Sequence, residues 1–432
     1  MTFDLAVEAL SRTIPGTWRV EPFRRHAVLA NETNSDRCMP LLSLASTGNI
    51  QPRSEEGGLG KQAPSESTIE RYWICRPGDL VVNPMWLIGG GIGVSQTTGA
   101  VSPDYRVYRL SPSLHPRFVH HLLRSSPYRD QYRLYTRADT TFDRRVSKEN
   151  FHPMPLLIPP LEEQRRIADF LDAETARIDS LSALRARQVQ LALIRLESLA
   201  KRETGRVLVR GAKEPSRQWA AYPLRRAISG IKTGATPPGS GPELWAEETR
   251  PHTIPWYGPS SFQGLMRLGM PVKHLPSSVT KERVVPLFPK GSVLIIGIGA
   301  VGKVAYLDHD ASANQQVTAL TPAHGIFGKF LAWQLWAATQ ELRELAPYTT
   351  LPIINNDFLK SFPIAMPSMD VQRTVVQKLD RIAEGVGALH AAAAQASKLV
   401  QERRQALITA AISGQFDVTT ASGRNVTEGV SA

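Results

Sequence analysis

Few residues in this chain have the types and spacing that catalysis needs. The run Gly297-Ile-Gly299-Ala-Val-Gly302-Lys303 fits both GxGxxG and GxxxxGK, the spacings of two phosphate-binding loops. Either loop must open a helix whose N-terminus holds the phosphate, and the second needs Ser or Thr after the lysine for magnesium. Here the strand-like run Val304-Ala-Tyr-Leu follows, and the matching stretch Gly89-Gly90-Gly91-Ile92-Gly93 lacks the lysine. Both therefore read as glycine hairpin turns. None of the 13 lysines has Asp or Glu two residues before it, which excludes the metal site of PD-(D/E)xK nucleases. The ten histidines form no HExxH or HxH cluster of the kind zinc needs.

One further run invites an enzymatic reading. Asn83-Pro84-Met85-Trp86 resembles the strand-end NPP(Y/F/W) motif of adenine N6-methyltransferases, in which the aromatic ring stacks on a flipped base. Met85 replaces the second proline, residues 292–300 repeat nothing of it, and no cofactor-binding glycine motif follows an upstream strand. A stand-alone adenine methyltransferase is one alternative to weigh, and a DNA-bridging protein without sequence preference is another. The main reading assigns the chain no catalytic residue and no metal.

Charge points to a partner instead. The chain has 51 basic and 39 acidic residues, a net charge of +12, and 38 of its cations are arginine. Arginine suits bidentate contact with phosphates and guanine edges. Two cysteines, Cys38 and Cys75, are too few for a disulfide framework and read as reduced thiols. The first residues carry no signal-peptide pattern, and no apolar run is long enough to span a membrane. A cytoplasmic location is the expectation.

The elements that would position a binding surface occur twice. PPLEEQRRIADFLD (159–172) and PSMDVQRTVVQKLD (367–380) align at an offset of 208, pairing Pro159/Pro367, Gln164/Gln372, Arg165/Arg373, Leu171/Leu379 and Asp172/Asp380. Upstream, RPGDLVVN (76–83) matches PKGSVLII (289–296), SPDYRVYRLSP (102–112) matches SANQQVTALTP (312–322), and HPRFVHHLL (115–123) matches HGIFGKFLA (324–332), with Phe118 set against Phe327. Short apolar runs punctuated by Gly and Pro, with few helices, predict an α+β domain in each copy. Each copy then runs into a long helical pattern closed by Gly205 or Gly414. In the second, Val375, Leu379, Ile382, Val386, Leu389, Ala393, Ala396 and Val400 form a heptad seam. In the first, Ile167, Leu171, Ile178, Leu181 and Ala192 keep that register, with Glu174, Arg185 and Gln188 in the seam. Two such helices can bury their seams as an antiparallel coiled coil.

The chain therefore divides into a first domain (1–158), a helix (159–205), a second domain (206–366), a second helix (367–414) and a polar tail (415–432). This arrangement resembles the specificity subunit of type I restriction–modification systems. The resemblance rests on TFDRRVSKENFHPMPLLIPPLEEQ (141–164), TTLPIINNDFLKSFPIAMPSMDVQ (349–372), GATPPGSGPELW (234–245), IPWYGPSSF (254–262) and NQQV (314–317). It implies two target recognition domains, each reading half of a split DNA site, with the paired helices as spacer. It also implies two methyltransferase subunits docked on that core, with S-adenosylmethionine bound by them, and nuclease–translocase subunits joined through them. The first domain lacks the GxTP opening and the NQ pair.

Loops combining Arg or Lys with Thr, Asn or aromatic groups are the expected DNA contacts. These are Arg137, Thr141, Arg144 and Arg145 in the first domain, and Lys232, Thr233, Thr236, Trp256, Tyr257, Thr349 and Thr350 in the second. Gln164, Arg165, Gln372 and Arg373 are the expected partner contacts, because a coiled-coil seam does not require these polar side chains.

Overall fold

The computed structural model describes residues 14–53, 64–135, 145–205, 219–237, 245, 253–281, 285–345 and 353–416. The chain forms two compact units, one of residues 1–183 with 396–432 and the other of residues 184–395.

The strands of the first unit are β1 (Arg19–Pro22), β2 (Ala27–Leu29), β3 (Leu42–Leu44), β4 (Ile50–Pro52), β5 (Trp73–Cys75), β6 (Leu80–Val82), β7 (Ile92–Val94), β8 (Gly99–Val101), β9 (Arg106–Leu110) and β10 (Pro155–Ile158). Its helices α1 (Pro116–Arg124) and α2 (Ser126–Tyr135) precede the long α3 (Leu161–Glu203). A four-stranded antiparallel sheet has the order β2-β9-β6-β7, while β1 pairs with β10 and ties the ends of the domain together. Leu80, Val81 and Val82 are wholly buried, which is why this strand reads as a continuous apolar run rather than an alternating one.

The second unit repeats the plan with β11 (Ala221–Pro223), β12 (Ile228–Thr233), β13 (Thr253–Tyr257), β14 (Lys273–Pro276), β15 (Val293–Ile296), β16 (Val304–Tyr306), β17 (Ser312–Ala313), β18 (Val317–Pro322) and β19 (Pro363–Ala365). The helices after β18 are α4 (Gly328–Ala337), α5 (Thr339–Leu345), α6 (Asn356–Ser361) and the long α7 (Met369–Ile412). The sheet β12-β18-β15-β16 and the pair β11-β19 reproduce the first unit strand for strand. The β6–β7 and β15–β16 connections are antiparallel hairpins. The glycine run at 297–302 thus leads into the strand β16 and does not itself open a helix, as a phosphate-binding loop must.

Each unit contains part of both long helices, and their ends pair in opposite senses. In the first, Ile167, Ala168 and Leu171 of α3 share a core with Ile408, Ala411 and Ile412 of α7. In the second, Leu196 and Ala200 of α3 share one with Val375, Val376, Leu379 and Val386 of α7. The early part of one helix packs on the late part of the other, so the pairing is antiparallel. Cross-helix ion pairs mark both ends, Arg404–Asp179 at 2.6 Å and Lys378–Glu203 at 3.1 Å. Gly205 and Gly414, at φ of 73° and 70°, terminate the two helices as left-handed C-caps.

Two registers differ from the sequence expectation. Past Ile178 the inward stripe of α3 runs through Ser182, Val189, Leu193, Leu196 and Ala200, leaving Leu181, Leu184, Leu191 and Ile194 exposed. An ideal helix drifts about 20° per heptad against a strict 3.5-residue repeat, so the stripe passes to the next residue. In α7, Ile382 and Leu389 are likewise exposed, and Ala383 takes the inward place beside Val386. The second difference is in the repeat itself. The bonds described below align His115 with Phe327, so Phe118 corresponds to the fully buried Phe330 rather than to Phe327. A three-residue slip is nearly one helical turn and preserves the apolar pattern, which hides it from sequence comparison.

Candidate nucleic-acid interface

In the second domain, one end of the four-stranded sheet collects uncharged polar groups around a tight backbone crossing. At the end of β12, Thr233 Oγ1 lies 3.1 Å from Thr318 Oγ1 at the start of β18. Gly234 follows because a Cβ there would sit 2.2 Å from the Ala313 carbonyl oxygen, so no other residue fits. The Gly234 N–H donates to the Val317 carbonyl and the Ala235 N–H to the Ala313 carbonyl. That places Thr236 where its hydroxyl donates to Gln315 Oε1 at 2.7 Å. The Asn314 side chain accepts the Gln316 N–H and donates to Gln316 Oε1, both at 3.1 Å. The β15–β16 turn joins the cluster through Gly297, whose N–H donates to the Gln316 carbonyl at 2.8 Å, and Lys303 stands exposed on that turn. Threonine hydroxyls, side-chain amides and lysines suit base edges and phosphates.

Lys232, Thr233 and Thr236 are exposed on this end. Trp256 and Tyr257 are not: both are buried, which removes them as direct DNA contacts. Trp256 Nε1 donates to the Ala235 carbonyl at 3.1 Å, and the Tyr257 carbonyl accepts the Asn314 N–H at 2.9 Å. They hold the two polar loops from below. Burial, reinforced by nearby Asp308, pushes the Tyr257 hydroxyl pKa up, while a hydrogen bond from His309 holds the Asp308 carboxyl down. Gln315 and Asn356 were missed as candidates, although the NQQV run was the available signal for the first. Asn356 reaches Thr233 Oγ1 at 3.5 Å.

The corresponding end of the first domain is built from different chemistry. Arg106, opposite Val82 in the sheet, stands where the second domain has Thr318 opposite Ile295; it is buried, and its Nη1 has no hydrogen-bond partner among the described residues. The closing segments dock alike, with the Val146 N–H on the Pro84 carbonyl at 3.0 Å and the Ile354 N–H on the Gly297 carbonyl at 2.9 Å. Arg145 is exposed beside this contact. Arg137, Thr141, Arg144, Thr349 and Thr350 lie outside the described residues.

Below the sheets, both domains are clasped to a long helix by the duplicated block. Gln164 is fully buried; its Oε1 accepts the His115 N–H at 2.8 Å, and its Nε2 donates to the Ser113 and Pro159 carbonyls, each at 2.9 Å. Gln372 repeats this with the Phe327 N–H and the Gly325 and Pro367 carbonyls. The glutamines are polar because the first turns of α1 and α4 need these partners. With every amide group spent internally, they are withdrawn as partner contacts. Arg165 and Arg373 remain exposed.

Two helical turns further on, Asp172 accepts from Arg117 and His121, each at 2.7 Å. Burial raises its carboxyl pKa, but those two partners outweigh it and hold the pKa below the usual range. Asp380 accepts instead from Trp333 Nε1 at 3.0 Å and pairs with Lys329 at 2.7 Å. Among the described residues no group of His, Cys, Asp or Glu could hold a metal, and no helix is long and apolar enough to cross a membrane.

The class that emerges is a duplicated α+β reader on an antiparallel pair of long helices. Residues 228–395 match the family model of the type I restriction modification DNA specificity domain. The chain is 24% identical over 156 residues to the type I restriction enzyme MjaIX specificity subunit of Methanocaldococcus jannaschii, a match that spans 35% of each protein. A chain from a structural study of complex assembly and conformational transition of the type I R-M system superposes with a TM-score of 0.71 at 22% identity, covering 93% of this chain and 99% of that one. The HsdS subunit from Thermoanaerobacter tengcongensis aligns over 93% of this chain and 98% of its own at 21% identity, with a TM-score of 0.47. Residues 228–395 thus resemble a type I DNA specificity domain in sequence, and the whole chain is similar in fold to a chain of a type I R-M system.

Proposed function

We propose that this chain is the sequence-reading subunit of a type I restriction–modification complex, with one half of a split DNA site read by each domain. The observation that carries the reading is the duplication. Two domains of one topology are clasped to two long helices through equivalent glutamine and aspartate bonds. A specificity subunit is a non-catalytic recognition component, so transfer and cleavage chemistry belong to partners, and S-adenosylmethionine to a methyltransferase subunit. Two copies of that subunit fit two equivalent surfaces. Their expected landing places are the exposed apolar positions of the helices, such as Leu184, Leu191 and Ile194 on α3 and Leu389 and Leu399 on α7, with Arg165 and Arg373 nearer the helix starts. Nuclease–translocase subunits would join through the methyltransferases. On the DNA side, Arg145, Lys232, Thr233, Thr236 and Gln315 are the contacts this reading favours, with Arg137, Thr141, Arg144, Thr349 and Thr350 in the adjoining segments.

The helices serve as ruler. At 1.5 Å per residue, one added heptad lengthens a helix by about 10 Å, or roughly three base pairs. The test is to insert one heptad in both helices, co-express the chain with its methyltransferase and map the methylated sites. The half-sites should stay the same while the gap grows by about three base pairs. An unchanged gap or altered half-sites would refute the ruler, and a purified assembly with one methyltransferase per chain would refute the twofold docking.

A further inference from the structure

One motif remains unused by this reading: Asn83-Pro84-Met85-Trp86, at the tip of the β6–β7 hairpin. Met85 and Trp86 are 51% and 52% exposed there. The tip is nevertheless built to hold them. Asn83 Oδ1 accepts the Met85 N–H at 3.1 Å, the Trp86 N–H donates to the Asn83 carbonyl at 3.0 Å, and the Gly91 N–H donates to the Trp86 carbonyl at 2.8 Å. The indole lies over glycine. A Cβ on Gly89 would come 2.4 Å from Trp86 Nε1, and one on Gly91 would come 3.1 Å from Trp86 Cβ. Glycines carry an entropic cost in the unfolded chain, and here that cost gives the ring a fixed seat while half of it stays in water.

The surroundings indicate what the ring meets. The Val146 N–H donates to the Pro84 carbonyl, and exposed Arg145 is the residue before Val146. Along the tip Met85 and Trp86 stand among Asn83, Pro84, Leu87, Ile88 and three glycines; Leu87 is buried and Ile88 half-buried, so the exposed apolar surface is small beside that of a protein interface. The hairpin also occupies the place in its domain that the glycine-rich, lysine-bearing β15–β16 turn occupies in the other, where the sequence reads Ile298-Gly299-Ala300.

We infer that Trp86, flanked by Met85, is a stacking wedge with which the first domain engages an unstacked base step of bound duplex DNA, Arg145 neutralising the adjacent phosphate. The inference rests on the reading of this domain as a DNA reader. Apolar side chains enter duplexes at opened steps, and an aromatic face accepts any base without reading its edge. The wedge would let the first domain hold DNA without the threonine and glutamine groups of the second.

The test uses the full chain and a duplex that it selects from a random pool, synthesised also with 2-aminopurine at successive positions. Trp86→Ala should lose about tenfold in affinity, and Trp86→Phe should recover most of it. A rise in 2-aminopurine fluorescence at one position should occur with the native chain and the phenylalanine variant and vanish with alanine. Native affinity and an unchanged fluorescence profile in Trp86→Ala would overturn the wedge. So would intact DNA binding combined with loss of assembly with a methyltransferase, which would make the ring a protein contact. If the native chain selects no duplex over random DNA, the DNA reading itself fails and the wedge falls with it. Selection by the native chain with no effect of Trp86 removes the wedge alone.

Discussion

The two domains share a frame and differ at the surface that frame presents. Both end a four-stranded sheet with a glycine hairpin, dock the closing segment on that hairpin, and bury one glutamine against a helix N-terminus. At the outward end, one domain shows threonines, amides and lysines, whereas the other shows an exposed arginine and an exposed indole. The clasps differ too, with a histidine and an arginine on Asp172 against a tryptophan and a lysine on Asp380. Duplication keeps what holds a domain to the helices and frees what faces a ligand.

The largest expected effect tests the shared part. Gln164→Leu and Gln372→Leu each leave one buried N–H and two carbonyls without partners, at about 2–4 kcal/mol of stability for either change. Urea unfolding with hydrogen exchange resolved by unit would measure both. A large loss at one glutamine and almost none at the other would break the equivalence of the clasps.

The next effect separates the units by pH. Burial first, and then the neighbouring His121 and Arg124 charges, push the His120 pKa down to about 3, although an edge of the ring reaches solvent. Burial likewise lowers His115 and His152 in the same unit, while Ala332 occupies the place of His120 in the other. A depressed histidine must shed its proton to fold. Its contribution is therefore complete above the unfolded value near 6.5 and is lost as pH falls toward the folded value, at up to about 1.4 kcal/mol per pH unit. Hydrogen-exchange protection, taken against the intrinsic rate at each pH, should fall in the β2-β9-β6-β7 sheet between pH 7 and 5 while the β12-β18-β15-β16 sheet changes less. His120→Ala should flatten that difference. Asp172, whose carboxyl is lowered, adds stability above the ordinary carboxylate range and loses it only as pH falls through its folded value.

A third comparison concerns readout. Gln315→Ala should cost about 1–3 kcal/mol at its own base alone, whereas Lys232→Ala should weaken all duplexes alike and reduce the salt slope by about one. Binding assays over single-base variants at two salt concentrations distinguish these outcomes. Uniform weakening by Gln315→Ala would make that side chain a backbone contact. The smallest effect is at the aspartates. Asp172→Asn should cost about 0.5–1 kcal/mol, shrinking with salt because Arg117 and Asp172 are both partly exposed. Asp380→Asn should respond less to salt, since one of its two partners is a neutral indole.

Much of this was legible in the residues. The glycine hairpins followed from what comes after them, and the antiparallel helix pair from its apolar spacing. A second repeat escaped notice: Trp18, Pro22, Arg24 and Arg25 match Trp219, Pro223, Arg225 and Arg226, and in both copies a short strand leads into a single 3-10 turn. Trp256 and Tyr257 were misplaced because adjacent strand residues point to opposite faces, and the sequence does not say that both faces are covered here. The glutamines were misread for the opposite reason. A polar side chain in a repeated block suggests a surface, but here it serves two backbone turns.

By itself the sequence determined the duplication, the two long helical segments and the absence of a PD-(D/E)xK spacing, because periodicity and spacing are local properties of a chain. Only the tertiary structure decided which polar groups face outward, which register of α3 is buried and which phenylalanines correspond. Those outcomes depend on partners far along the chain: Thr233 meets Thr318 across 85 residues, and Trp18 Nε1 meets Glu163 across 145. Burial is a free energy of contact with whatever packs opposite, and no window of neighbouring residues contains that information.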